Sequence, residues 1–301
     1  MTTHGKYLAL ASMLAFASLG APMAHAGDSA NTAPTSQPSL HISDATWASL
    51  FDESKPLSER QSLLAGLERD AGSGDAQELY LLGSLYHMGQ HAHGSPAQAN
   101  PDRASIYFAN AAVRGSLLAM AKIAEIKLAA GQYREAMNWA QIYVYYAVRQ
   151  GHKDTVEASY GAELIRRIDY HVERSEMSSI MKDVTSFVAV NNASIKAGLQ
   201  NHATHADNQP STGRHHLDVP PGELGPDAGV TDYLITFRAD GTATNVQLID
   251  SVPRVDLADT LRLYASGMVL PPLKSGDGDA PRYAWVPIIL GDGRYGVRNK
   301  D

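Results

Sequence analysis

Three histidines, His87, His91 and His93, lie close together in the first third of the chain. A helix would place His87 and His91 on the same face, because they are four residues apart, and two imidazoles so placed can share a metal ion. No glutamate completes a His-Glu-x-x-His zinc motif, and we expect Gly89 to end the helix. The spacing therefore favours an exposed polar loop, with a cryptic metal-dependent enzyme as an alternative.

Other chemistry-bearing patterns are weaker. Gly291–Gly296 spells G-x-G-x-x-G, but the five residues after it cannot supply the helix and acidic partner of a dinucleotide site. A calcium site at Asp277 and Asp279 would need five or six further oxygen ligands. A second group of histidines lies among prolines and glycines and is assigned to a linker: His202, His205, His215 and His216.

Carboxylates between residues 163 and 176 alternate with arginines, and this mixture predicts a solvated, salt-bridged helix face rather than an acid/base pair. The residues concerned are Glu163, Asp169, Glu173 and Glu176, with Arg166, Arg167 and Arg174. No G-x-S-x-G, S-x-x-K or Walker motif occurs in the sequence. We therefore expect no catalytic, cofactor-binding or metal-ligating residues, and a protein that is not an enzyme.

The composition of the chain excludes further classes of function. The 301 residues carry a formal charge of −7, so no basic surplus points to nucleic acid or an anionic membrane. The chain has no cysteine, which excludes disulfides, thiolate zinc sites, cysteine nucleophiles and a bacterial lipid anchor.

Residues 1–26 read as a secretory signal peptide. Lys6 supplies the positive charge, Tyr7–Gly20 is an apolar run, and Ala24-His25-Ala26 is a small-x-small cleavage site. An uncleaved membrane anchor is the alternative, although a span needs about 20 apolar residues and this run is shorter. No later apolar run is long enough to span a bilayer. The sequence predicts a periplasmic protein, and secretion beyond the outer membrane stays open.

The remaining chain divides by pattern. Residues 27–40, rich in Ser, Thr and Pro, predict a disordered tether, and residues 41–200 are helical in period, beginning with Asp44 as a candidate N-cap. Two longer helices are expected over about 154–171 and 175–196. Residues 201–229 predict a flexible linker, 230–292 a small α+β domain and 293–301 a tail. The fold class is mainly α and multi-domain, a helical repeat solenoid followed by strand, hairpin, strand, helix and strand.

The helical part repeats itself, because Ala104, Tyr107 and Ala111 recur 32 residues later as Ala136, Trp139 and Tyr143. A period in the thirties built of helix pairs is typical of solenoids. The pattern resembles the Sel-like branch of the tetratricopeptide family, whose repeats imply scaffolds that bind proteins or peptides. Its signature residues here are Leu82, Gly83, Tyr86, Gly89, Ala104, Tyr107, Ala111, Ala112, Gly115, Ala136 and Trp139.

Small residues in this signature, Gly83, Ala111 and Ala112, are expected where paired helices cross closely. Several tyrosines crowd the second repeat, and we expect most of them to lie in the core, with an exposed aromatic patch for a peptide as the alternative. These tyrosines are Tyr133, Tyr143, Tyr145, Tyr146 and Tyr160.

The C-terminal part changes period. Tyr233, Ile235 and Phe237 alternate with polar or outward positions, and Asp240-Gly241 predicts a hairpin turn because glycine accepts positive φ. A second strand through Val246 and Leu248, a short helix from Leu257 and a third strand ending near Leu290 follow.

Residues 230–290 resemble the C-terminal domain of TonB, the periplasmic energy transducer, in the order of Phe237, Asp240-Gly241, Ser251, Val255–Ala258 and Leu270–Pro272. The family's tryptophan and phenylalanine are replaced by Met268 and Leu270. The resemblance implies a final strand that pairs with a partner's extended segment.

These patterns together predict a non-enzymatic scaffold that binds proteins or peptides of the bacterial envelope, without cofactors, through a repeat face and an open sheet edge. A TonB-like accessory of energy-coupled outer-membrane transport is the alternative, and it would require the leader to stay uncleaved. The sequence indicates neither the partner nor the oligomeric state.

Overall fold

A computed structural model describes residues 43–71, 74–150, 155–204, 210–212, 228–273 and 280–291. The predicted leader (1–26), tether (27–40) and tail (293–301) lie outside these residues. Within them the chain is mainly helical and ends in a small antiparallel sheet, as the period of the sequence predicts. None of the helices in the described ranges combines the length and the apolar character that crossing a membrane requires.

The helices follow one another from the start of the described chain. They are α1 (Asp44–Leu50), α2 (Leu57–Asp70), α3 (Ala76–Met88), α4 (Pro101–Val113), α5 (Leu117–Ala129), α6 (Tyr133–Gln150), α7 (Val156–Asp169) and α8 (Met177–Thr204). The predicted helices over about 154–171 and 175–196 correspond to α7 and α8. α8 continues to Thr204, four residues beyond the predicted helical segment.

Short polar side chains start most of these helices. Asp75, Asn100, Ser116 and Thr155 each accept a hydrogen bond from the backbone N–H three residues later, at 2.9–3.3 Å. These N–H groups have no partner within the helix, so the caps satisfy them. The predicted cap of α1 is wrong by one residue: Ser43 is the N-cap and Asp44 is the first helical residue.

Consecutive helices pack against each other, α3 on α4, α5 on α6 and α6 on α7, while α8 lies against α4 and α6. Gly83 lies where α3 meets α4, and a Cβ there would stand 2.7 Å from the Phe108 ring. Ala104 and Ala136 occupy matching places, since each donates its backbone N–H to the residue preceding its helix, Asn100 or Gln132. The structure thus places the 32-residue recurrence on α4 and α6.

The sheet has three antiparallel strands in the order β3-β2-β5. The strands and the last helix are β1 (Ser211–Thr212), β2 (Gly229–Phe237), β3 (Ala243–Val252), α9 (Asp256–Ser266), β4 (Met268–Val269) and β5 (Arg282–Leu290). β1 and β4 form a separate two-stranded pair. The order strand, hairpin, strand, helix and strand is the predicted one.

Asp240 and Gly241 lie in the loop that joins β2 to β3. Gly241 has φ of +86°, and a Cβ there would stand 1.9 Å from the Leu270 carbonyl oxygen. Asp240 Oδ1 accepts hydrogen bonds from the Thr242 N–H at 2.9 Å and hydroxyl at 2.7 Å. Both the positive φ and the close approach require glycine at 241.

The sheet is buried on both faces. Tyr233, Ile235 and Phe237 belong to a core shared with α9, whereas Val230 and Leu234 belong to the core of the helical part. The helices and the sheet form one compact unit. Because β2 has a helical layer on each side, eight of its nine residues are buried, as expected for a strand covered on both faces.

The glycine at the α3–α4 contact yields a direct test. Gly83→Ala would push a methyl group into the Phe108 ring, and we expect it to lower the free energy of unfolding by about 1–3 kcal/mol. The measurement is urea unfolding followed by circular dichroism.

Gly66→Ala is the matched control, since Gly66 lies inside α2 and a Cβ there would meet nothing closer than Arg69 at 3.7 Å. We expect this change to stabilise the protein by about 0.5–1 kcal/mol through helix propensity alone. Equal effects at the two glycines would contradict the close helix contact.

Candidate functional site

The three clustered histidines do not converge. His91 lies in the short 3₁₀ turn that follows α3, and the exposed His93 stands 3.4 Å from the Glu53 carboxylate. His87 turns the other way, and its Nδ1 lies 2.7 Å from Asp250 Oδ1 of β3. Among the described residues no three histidine, aspartate or glutamate side chains are placed to hold one metal ion.

Several other sequence candidates lie outside the described residues. This applies to His205, His215, His216, Asp277 and Asp279, and to the glycine-rich motif beyond Gly291. His202 belongs to α8, but its side chain is not described.

The prediction of a wholly solvated face on α7 is wrong. Glu163 is buried, and Arg167 reaches inward to Glu125 of α5. The physical reason is that α7 packs between α6 and the sheet, so only its outermost carboxylate, Asp169, remains exposed.

A buried ionic cluster joins the helices to the sheet. Lys122 of α5 forms ion pairs with Asp232 of β2 and Asp250 of β3, and all three side chains have 0% exposure. Removing one partner of such a buried group leaves an uncompensated charge in a medium of low dielectric constant, which is strongly unfavourable. The three residues therefore constrain how the sheet sits on α5.

The strand register brings the two aspartates together. Asp232 is directly opposite Asp250 in the β2–β3 pair, where like charges destabilise a sheet. A bulge at this point leaves Ile249 unpaired, so Ile249 and Asp250 both face the helical part. The bulge thus aims the second carboxylate at Lys122, which offsets the repulsion between the pair.

Hydrogen bonds complete the surroundings of Asp232. The Tyr80 hydroxyl of α3 donates to Oδ2 at 2.7 Å, and the Trp285 indole N–H of β5 donates to Oδ1 at 3.0 Å. Burial raises the pKa of Asp232; the cation of Lys122 opposes this, and the negative charge of Asp250 adds to it. Burial also raises the pKa of Tyr80, as does the adjacent Asp232.

Asp250 has a different set of partners. Besides the ion pair with Lys122, Asp250 Oδ1 lies 2.7 Å from His87 Nδ1. The same oxygen accepts a hydrogen bond from the Ser251 backbone N–H at 2.8 Å. Burial alone would raise the pKa of Asp250, but the positive charges of His87 and Lys122 and their hydrogen bonds lower it to about 2. Of the two aspartates, Asp250 therefore has the lower pKa and stays ionised to lower pH.

A second buried cluster lies one turn further along α5. Glu125 accepts a hydrogen bond from the Tyr160 hydroxyl at 2.7 Å and forms a bidentate pair with Arg167, both from α7. Burial and the neighbouring Glu125 raise the pKa of Tyr160 well above its usual value. Because Lys122 faces the sheet and Glu125 faces α7, α5 is tied to both by charge.

The first cluster contains a Ser–Lys pair, since Ser84 Oγ lies 3.1 Å from Lys122 Nζ. A lysine that acts as a base must be neutral and must reach a substrate. Here two carboxylates engage the Lys122 amine, and the side chain is sealed between α3, α5 and the sheet. In this geometry the cluster fastens the sheet to the helices.

The sequence analysis did not identify Lys122, Asp232 or Asp250 as site residues. A signal was present, because each residue is one of few charges within an apolar run: Lys122 with Glu125 in LLAMAKIAEI, Asp232 in GVTDYLITF and Asp250 in QLIDSV. Charged residues are almost never fully buried unless they are paired. The positive Lys122 and the negative Asp232 and Asp250 are therefore candidates to pair with one another.

The aromatic repeat residues sit at contacts between helices. Tyr86 and Tyr107 stack with their ring centroids 5.9 Å apart, the Arg103 guanidinium lies over Tyr86, and both hydroxyls face Glu68. Trp139 of α6 packs edge-on against Phe187 of α8. Tyr143, Tyr146 and Tyr160 are buried, as predicted for most tyrosines of this region, while Tyr133 and Tyr145 are partly exposed.

The other signature positions are largely in the interior. These are Leu82, Gly89, Ala104, Ala111, Ala112, Gly115 and Ala136. Gly89 and Gly115 both have positive φ, 53° and 98°, where helices α3 and α4 end.

Among known proteins, no family model, curated sequence or solved structure matches this chain.

The ionic cluster predicts a large cost for removing its cation. Lys122→Met leaves two opposed carboxylates buried without a counter-charge, and we expect the free energy of unfolding to fall by about 3–5 kcal/mol. Chemical unfolding at neutral pH measures this change.

Lys127→Met on the same helix is the control, since that amine bonds the exposed Gln132 side chain at 2.6 Å, and we expect a change within about 0.5 kcal/mol. Adding Asp232→Asn and Asp250→Asn to Lys122→Met should recover part of the loss. A Lys122→Met protein as stable as the Lys127→Met control would refute the role of the cluster.

Proposed function

We propose that this protein is an exported, non-enzymatic interaction protein that binds an extended segment of a bacterial envelope protein along the outer edge of β5. The observation that carries the proposal is the position of β5 at the end of the sheet order β3-β2-β5. An edge strand presents backbone N–H and C=O groups that a further strand can pair with.

The outer side of β5 has free backbone groups. Its inner side pairs with β2 from Gly229↔Leu290 to Phe237↔Arg282 without a break. Within the described chain, no hydrogen bond joins the outer backbone groups of β5 to another element. A partner strand can therefore pair with the backbone groups of β5 that point away from β2.

Pro287 fixes which backbone groups point outward. Proline has no N–H, so within a regular sheet it is found where that group would face away from the neighbouring strand. Backbone N–H groups point alternately toward and away from the neighbouring strand. Residues an even number of positions from Pro287 therefore point their N–H groups away from β2, and these are Tyr283, Trp285 and Ile289. The edge thus offers three donors, and Pro287 interrupts them in the middle.

The other edge is occupied to a greater extent. On β3, the Arg262 side chain donates to the Val246 carbonyl at 2.9 Å, and Gln247 reaches the His93 carbonyl at 2.8 Å. Side chains that engage an edge hinder the addition of a strand. The outer edge of β5 is therefore more open to an added strand than the outer edge of β3.

The helical part contributes differently from the sequence-based expectation. The faces of α3 and α5 that carry Tyr80, His87 and Lys122 are covered by the chain's own sheet. If α3 to α8 form a Sel-like solenoid, a repeat face open to partners must lie elsewhere, on α4, α6 or α8. Exposed apolar residues such as Ile106 and Val190 lie on these helices.

The resemblance to the TonB C-terminal domain supports the same proposal, because it also implies strand pairing at the final strand. The second candidate, an accessory of energy-coupled transport, needs the leader retained as an anchor. Sequencing the N-terminus of the protein purified from the envelope separates the two, since a first residue Gly27 removes the anchor.

The absence of cysteine permits a clean crosslinking test. Pro287→Cys carrying a photo-crosslinker on β5 should capture an envelope protein in intact cells, and mass spectrometry should map the link to an extended segment. Leu263→Cys on α9, 73% exposed, is the matched surface control.

A second substitution tests the backbone itself. Adding Ile289→Pro removes an outward N–H without touching the β2 ladder, and one lost hydrogen bond of about 1 kcal/mol lowers affinity about fivefold. Ile289→Val retains the N–H and should retain capture. Capture that survives Ile289→Pro, or that occurs equally from Leu263→Cys on α9, would contradict edge pairing.

A further inference from the structure

Among the ionisable side chains of the buried cluster, which are Tyr80, His87, Lys122, Asp232 and Asp250, His87 alone is partly exposed to water. Its side chain is 24% exposed, whereas Asp250, to which its Nδ1 is joined at 2.7 Å, is completely buried. His87 belongs to α3 and Asp250 to β3, so this contact spans the boundary between helices and sheet. A proton can therefore reach the cluster at its rim.

The charges of the cluster depend on that proton. Asp232 and Asp250 contribute two negative charges and Lys122 one positive charge. With His87 protonated the buried charges balance, and with His87 neutral one negative charge is left over. An uncompensated buried charge is costly, whereas a compensated, hydrogen-bonded set is tolerated.

The surroundings of His87 leave Asp250 as its direct ionic partner. From the sheet it faces Asp250 and, behind it, Asp232; from α5 it faces Lys122; and Tyr80 lies two turns earlier on its own helix. After α3, His91 is exposed and His93 pairs with Glu53. Arg103 of α4 is engaged with Glu68.

We propose that His87 is a proton-operated latch that holds the sheet on the helical part when it is charged and loosens the sheet when it is neutral. A histidine changes its charge between about pH 5 and 8. Its protonated form gains a carboxylate partner in the closed state, so the stabilisation is present at the acidic end of this range. It is lost as the pH rises, and the face of α3 and α5 beneath the sheet becomes accessible more often.

A single reporter cysteine can measure this opening in the full mature chain. Val230 of β2 is buried against the helical core, and Val230→Cys places a thiol under the sheet. Ala140→Cys, in the core of α6, reports openings that do not involve the sheet. The ratio of the two labelling rates with a thiol reagent, each corrected for thiolate content, reports lifting of the sheet.

The latch predicts that this ratio rises about tenfold between pH 5.5 and 8, because the closed state loses a charge-assisted hydrogen bond when His87 becomes neutral. His87→Gln retains a hydrogen-bonding side chain without the charge and should make the ratio high and independent of pH. His87→Arg, always charged, should keep the ratio low at every pH. His91→Gln, exposed in the same segment, should behave as the unsubstituted protein.

Two results would overturn the latch: a ratio that does not change with pH, or a pH dependence that persists in His87→Gln. Amide hydrogen exchange of β2 and β3 at the two pH values provides the same readout without a reporter cysteine. It is used if Val230→Cys or a His87 variant unfolds.

Discussion

The packing of the sheet on the helices depends on the ion pairs among three fully buried charged side chains. Asp232 and Asp250 are opposite each other on adjacent strands, where they repel, and Lys122 comes from a helix to lie between them. The sheet cannot supply this cation itself, so the arrangement requires α5 at that position. A buried ion pair often contributes little net stability against apolar residues, but it penalises any arrangement that separates the partners. The cluster therefore specifies which faces meet.

The surrounding elements are arranged to serve this contact. The bulge at Ile249 turns Asp250 toward the helices, α3 contributes Tyr80, Ser84 and His87, and β5 contributes the Trp285 indole N–H. One turn along α5, Glu125 fastens α7 in the same way. Val230 and Leu234 bury apolar surface against the helices, and the buried charges fix the position of the sheet on them. β5 lies at the edge of the sheet, and its outer side is where we propose that a partner strand pairs.

Much of the secondary structure follows from the sequence. The helical period, the change of period after residue 228, Gly241 in the β2–β3 loop and the helix α9 are local features, and the structure contains them. Gly83 was expected at a close helix contact, and it lies against Phe108. These features were accessible because propensity, capping and turn chemistry act within a few residues of one another.

The burial of the sheet against the helices was not predicted, because it depends on residues more than a hundred positions apart. The strand period was interpreted for one apolar face, whereas β2 is covered on both sides. Glu163 and Arg167 were expected in water for the same reason, since an alternation of charges does not indicate what packs on the helix. Lone charges in apolar runs were the available signal, and they carry information only when they are considered as a set.

Native-state amide hydrogen exchange tests most directly whether the cluster unites helices and sheet. At pH 5.5, where the proposed latch is closed, we expect the slowest amides of β2 and β3 and those of α3 and α5 to exchange with the same opening free energy and the same dependence on denaturant, as one cooperative unit does. At that pH, a sheet that opens at a clearly lower free energy while α3 and α5 stay protected would contradict the account.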